Sequence, residues 1–224
     1  MKTTIYLFFL IILSFTFSCN KHKKMESGRI DVIATIYFNP SQNLDDSKTI
    51  LISKLNFKND TIIEIVPDID YPDRISNIYL IIDSTFSNLG NFETAKKTNF
   101  KKISNKLSLD NKFNGVVYTD LKVPNWGFRV HINDTVLFSK NYLRFQIRSD
   151  ESFTRYYVAK TDTILPFAIY PKTAQFYKGR IERVDSYDRI NDVFVTLQLF
   201  LRKDWDYEAK EIFEYNRFIS NHVK

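Results

Sequence analysis

Val193-Phe194-Val195-Thr196-Leu197-Gln198-Leu199-Phe200-Leu201 is the stretch that decides the fold class. Val193, Val195, Leu197, Leu199 and Leu201 share one parity, while Phe194, Thr196, Gln198 and Phe200 share the other. A strand sends successive side chains to opposite faces, so this period-2 pattern reads as a strand with one aliphatic face and one mixed face. Its β-branched and aromatic content suits a pleated, packed surface.

The same signature recurs along the chain. Ile30, Val32, Ala34, Ile36 and Phe38 fall on one face of a first strand. Stretches 50–57 and 61–66 flank Lys58-Asn59-Asp60, whose residues suit a tight hairpin turn. Stretch 77–86 (NIYLIIDSTF) is apolar on both faces near its middle, which predicts a central strand. Further strands are predicted over 115–123, 128–132 and 135–138, with a second hairpin turn at Asn133-Asp134, and over 142–148, 156–159, 164–170 and 176–184. Two stretches predict helices. One is 91–97, opened by Asn91 as an N-cap. The other is 206–221, where Ile212, Tyr215, Phe218 and Ile219 lie near one helical face. The expectation is a mostly β body over 28–224, an antiparallel β-sandwich with a short C-terminal helix. It is read either as one unit or as two packed immunoglobulin-like halves meeting near 124–127.

Composition narrows the function classes. The chain has 224 residues, 44% hydrophobic and 16% aromatic, enough for a sizeable buried core. A single cysteine excludes an internal disulfide framework and a cysteine-based zinc site. The formal net charge is +6, but Lys2, Lys21, Lys23 and Lys24 contribute four of those charges and leave +2 for the rest. Nucleic-acid binding calls for a basic stripe on the folded domain, so no nucleic-acid partner is expected. Lys96, Lys97, Lys101, Lys102 and Lys106 form one further basic run, read as a solvated loop or as a docking surface for an acidic partner.

Lys2 precedes the unbroken apolar run 5–13 (IYLFFLIIL), extended by Phe15 and Phe17. This is shorter than the roughly 20 residues a spanning helix needs, and its flanks fit a secretory signal peptide over 1–18. Ser18-Cys19 resembles a bacterial lipobox. With its richness in Asn, Lys, Ile, Phe and Tyr, the chain resembles an exported lipoprotein of the Bacteroidota type over residues 1–24. The resemblance implies cleavage before Cys19, diacylglycerol on the Cys19 sulfur and acylation of the new terminus by a palmitate-type chain. Residues 19–27 are then a lipidated flexible tether. Each buried methylene contributes about 0.8 kcal/mol, so two or three chains make attachment effectively permanent. The resemblance places the protein at the outer membrane. The basic Asn20-Lys21-His22-Lys23-Lys24 favours the periplasmic side, with the cell surface as the alternative.

Motifs for catalysis are sparse. The chain contains no G-x-S-x-G, H-E-x-x-H or C-x-x-C, and no phosphate-binding glycine loop, so no cofactor is expected. His131 alternates with Val130 and Ile132 and reads as an outward strand residue. Asp68, Asp70 and Asp73 are candidate metal ligands, weighed against a solvated turn. Asp204, Asp206 and Glu208 alternate with Trp205 and Tyr207. In an extended segment this sets carboxylates beside aromatic platforms, as a glycosidase requires, whereas at a helix start the same acids complement the dipole. Trp126, Trp205, Asp204 and Asp206 are the candidate ligand-binding residues. The leading reading is a non-catalytic envelope lipoprotein that binds or assembles with an envelope protein or glycan. The alternative is a tethered, carboxylate-dependent, glycosidase-like hydrolase.

Overall fold

A computed structural model of the chain describes residues 23–44 and 47–222. The expected signal peptide, the lipobox and Cys19 lie outside the described residues. The strands are β1 (Lys23–Lys24), β2 (Ser27–Phe38), β3 (Lys48–Lys58), β4 (Thr61–Pro67), β5 (Ile75–Ile82), β6 (Thr85–Gly90), β7 (Leu107–Ser108), β8 (Val130–Leu137), β9 (Lys140–Arg148), β10 (Ser152–Lys160), β11 (Thr163–Ile164), β12 (Gly179–Asp188) and β13 (Val193–Arg202). The helices are α1 (Phe92–Ala95), α2 (Pro171–Phe176) and α3 (Tyr207–His222).

Eleven strands form one antiparallel sheet in the order β7-β6-β5-β4-β3-β2-β13-β12-β10-β9-β8. Its outermost strands β7 and β8 do not pair with each other, so the sheet is not a closed barrel. The mostly β, antiparallel expectation and the C-terminal helix are met, and strands from both sides of 124–127 join this single sheet. At its centre the first long strand lies against the last, from Arg29↔Arg202 to Phe38↔Val193. The end of the sheet carrying Ser27, Lys58, Gly179 and Arg202 is termed the foot, and the end carrying Phe38 and the 68–74 and 149–151 turns the crest.

The two faces divide the apolar residues by parity. Ile30, Leu55, Phe57, Ile62, Tyr79, Phe145, Tyr156, Val158, Ile181 and Leu199 build the inner core, with Phe167, Ile169 and Ala174 laid over them. On the outer face, Ile63, Ile65, Ile78 and Leu80 meet Ala209, Ile212 and Phe213 of α3. Fully burying one such aliphatic side chain contributes about 1.5–3 kcal/mol, so this stripe holds the helix to the sheet.

Several local expectations change. Stretch 77–86 is two strands, because Asp83 takes φ +54° and turns the chain between Ile82 and Thr85. Asn133-Asp134 is a bulge inside β8, where the register against β9 shifts between Ile132 and Thr135. The hairpin turn comes later, at Phe138 and Ser139, both with positive φ. Residues 115–123 form no strand: buried Val116 and Val123 face the core from a loop crossing the inner face. Of 164–170, only the start lies in β11, plus an isolated bridge from Ile169 to Ile181. Pairing also begins inside the expected tether, since β1 runs parallel to β11.

The stretch 161–170 has a topological cause. β12 and β13 pair only from Arg183↔Gln198 to Asp188↔Val193, and toward the foot they part. The chain after β11 bridges β12 there through Ile169 and goes on to α2 over the inner face. A bulge in the β10–β12 ladder accompanies the parting. Bulges re-aim side chains, and here Glu182 reaches Tyr142 on the outer face while neighbouring Arg183 binds Asp185 on that same face.

Candidate functional site

The inner face is packed toward the foot and open toward the crest. The open part is a trough of about 730 Å³. Val32, Ala34, Leu51, Val66 and Leu197 are among its floor residues, and 113–117 and 167–170 form its roof. Leu197 and Tyr170 continue into a second hollow of about 550 Å³, lined by Ile147, Val184 and Val195 but also by Thr154, Ser186 and Arg148. Strand parity builds the floor: Leu197 faces Ala34 and Val184 across the ladders, and Ala34 faces Leu51. Four lining side chains are exposed despite being apolar: Phe113 (90% exposed), Val117 (69%), Ile69 (61%) and Ile50 (48%).

The roof is fixed to the floor by a buried ion pair. Glu64, on the inner parity of β4, is completely buried, and its Oε2 lies 2.7 Å from Lys112 Nζ. Glu64 Oε1 accepts the Val116 N–H at 2.7 Å, and Lys112 donates to the carbonyls of Asn114 and Val116. The ammonium sits 4.8 Å from the centre of the Tyr79 ring. Burial pushes the Glu64 carboxyl above its ordinary range, opposed by the Lys112 charge. Burial pushes the Lys112 ammonium down, opposed by Glu64. Gly115 makes this close approach possible: its φ is +77°, and a Cβ there would meet Glu64 Oε1 at 2.1 Å. An acid within Ile62-Ile63-Glu64-Ile65-Val66 was the sequence signal for this site, and the sequence reading did not single it out.

The residues singled out in the sequence lie elsewhere. Trp126 stands in an aromatic cluster, its ring 5.5 Å from Phe145 and 5.3 Å from Phe176, with the Arg129 guanidinium 3.9 Å over its face. Trp205 packs on Phe213 at 4.7 Å and donates its Nε1–H to the Phe57 carbonyl. Asp206 precedes α3 and is held by Arg29 Nη1 at 2.8 Å, Lys54 Nζ at 3.4 Å and Asn56 Nδ2 at 3.0 Å. Its N–H in turn donates to Asn56 Oδ1 at 2.8 Å. That reciprocal clasp docks the helix on β3, while Asp204 is exposed beside it. Asp68 accepts the N–H groups of Asp70 and Tyr71, both at 2.9 Å, closing its own turn. Among the described residues no group of three or more His, Cys, Asp or Glu could hold a metal ion. His131 is exposed, its ring 5.6 Å from that of Tyr177.

No protein-family profile matches the chain, and no curated protein matches it. Among solved structures, an outer membrane lipoprotein-sorting protein domain from Vibrio parahaemolyticus aligns over 88% of this chain and 93% of that one, at 11% identity and a TM-score of 0.31. A DUF1329 family protein from Desulfovibrio piger ATCC 29098 aligns over 80% of this chain and 86% of that one, at 9% identity and a TM-score of 0.28. Likeness at this level carries no statement about function.

Proposed function

We propose that the protein is an envelope lipoprotein, anchored through acylated Cys19, that works as a non-catalytic binding module. Its trough takes an elongated apolar ligand of the acyl-chain type. One observation supports this reading above the others: the inner face is left open where its floor is aliphatic. A volume of about 730 Å³ lies within the roughly 300–1,000 Å³ usual for small-molecule sites. Apolar side chains kept exposed at the rim fit a surface that meets an apolar partner. The hydrolase reading gains no support, because Asp206 is engaged by two cations and an amide in docking α3.

The test uses the mature protein and a naphthylamine probe that fluoresces in apolar surroundings. Saturable fluorescence, reversed by a long-chain fatty acid, is the expected result. Ala34→Trp, which fills the floor, should weaken probe binding at least tenfold. Probe fluorescence that a fatty acid leaves unchanged would refute the acyl-chain assignment. Mass spectrometry of the mature terminus checks the anchor, and an unmodified Cys19 would refute it.

A further inference from the structure

We infer that the foot of the sheet is the surface that rests on the membrane, so that the trough is held facing away from the bilayer that anchors it. The inference depends on the acylated Cys19 proposed above. At the foot, the Lys23 N–H donates to the Asp162 carbonyl at 3.2 Å, while Lys23 and Lys24 pair with Thr163 and Ile164. Four residue steps separate Cys19 from Lys23, and an extended chain spans at most about 3.6 Å per residue, so the anchor lies within roughly 14 Å of β1. That reach is shorter than the body, whose β2 alone runs 12 residues from foot to crest. The foot therefore cannot swing away and let the crest replace it.

The chemistry of the foot fits an anionic lipid surface. Lys23, Lys58, Lys160, Lys178 and Lys203 are exposed there. Of the acids at this end, Asp60 is paired with Lys24 at 2.6 Å, and Glu26, Asp83, Asp162 and Asp204 are interspersed. Phe138, in the β8–β9 turn, is 66% exposed with its ring 5.7 Å from that of Phe200 in β13, and Leu201 of β13 and Ile164 of β11 are also exposed at this end. Cations around protruding apolar tips suit a headgroup layer, where basic residues meet anionic lipid. The trough is lined instead by the 66–70 segment and by the crestward halves of β2, β3 and β13. A ligand then enters it from the aqueous side or from a facing partner, not from the lipid beneath.

The full lipidated chain, reconstituted in phosphatidylglycerol-containing vesicles, tests this. An acylated Cys19 has no free thiol, so one introduced cysteine becomes the only reactive site. Fluorophores placed through Phe138→Cys and Lys178→Cys should be quenched several-fold more strongly by headgroup-nitroxide lipid than those placed through Ile69→Cys and Phe113→Cys. The triple change Lys160→Glu, Lys178→Glu and Lys203→Glu should reduce quenching at 138 in anionic vesicles and leave it unchanged in phosphatidylcholine. Equal or stronger quenching at 69 and 113, in a chain that floats with the vesicles, would overturn the orientation and leave the anchor standing. A chain that fails to float would overturn the anchor and the orientation together.

Discussion

Glu64 and Lys112 bring opposite charges into an apolar layer, with the Glu64 carboxylate and the Lys112 side chain at 0% and 1% exposure. Removing one member of a buried pair strands the other, which costs about 3–5 kcal/mol, whereas replacing both with apolar side chains is often neutral. Glu64→Gln should therefore lower the unfolding free energy from urea titration by that order, and Glu64→Leu combined with Lys112→Met should restore most of it. A single variant as stable as the parent would remove the latch role. Gly115→Ala forces a Cβ into the carboxylate at a positive φ and should cost about 1–3 kcal/mol in the same assay. The acid was legible as an oddity in an apolar strand. Its partner was not, because Lys112 sits in an aperiodic loop that local pattern cannot connect to β4. Asn56 was hidden in the same way: one amide in Leu55-Asn56-Phe57 looks like an outward residue until α3 covers it.

Between β9, β10 and β12 the bulge gathers a charged cluster on the outer face. Glu182 accepts from Lys140 Nζ at 2.7 and 2.8 Å, from Arg180 Nη2 at 2.7 Å and from the Tyr142 hydroxyl at 2.9 Å. Burial alone would raise its carboxyl, but the Lys140 hydrogen bond and the Arg180 charge outweigh burial and hold it below the ordinary 4.5. A folded-state value lowered in this way stabilises the protein above the unfolded-state value and is lost as pH falls through the folded one. Urea midpoints of the parent should drop below about pH 4.5, with a flatter acid limb in Glu182→Gln; parallel limbs would assign that acid loss to other groups. On α3, Asn216 accepts the Phe100 N–H at 2.9 Å and donates to the Thr98 carbonyl at 3.0 Å. Asn216→Leu should cost about 1–3 kcal/mol and speed amide exchange at Phe100, as expected for a buried donor and acceptor left unpaired. Unchanged exchange would detach the 98–103 loop from the helix. At this scale α3 and the Asn59-Asp60 turn were legible from periodicity and turn chemistry. The Asp83 turn was masked by apolar neighbours, and Asn133-Asp134 shows that one residue pair serves bulges as well as turns.

A ligand held in the open half of the inner face, as proposed, would couple its binding to the stability of the whole molecule. A ligand that binds only the folded state at about 100 times its Kd stabilises by about 2.7 kcal/mol, so saturating fatty acid should raise the Tm of the parent. Ala34→Trp should lose that rise; a rise retained in the variant would place the ligand outside the trough. The strand pattern announced an apolar face but not which half of it would be roofed. That depends on the 109–123 and 161–177 connections, whose stretches 115–123 and 164–170 read as strands in the sequence but cross the inner face mainly as loop. The seam between β2 and β13 has a bearing on time as well as shape. A chain released from its N-terminus offers β2 its first neighbour early, through β3, and withholds the second until residue 202 has emerged. Two half-sheets can grow separately, each with a raw edge, and the join between them waits for β13, after which α3 still has to dock on Ile63, Ile65, Ile78 and Leu80. Until then the polypeptide stays threadable, and a truncation just before Val193 would leave both edges sticky for good.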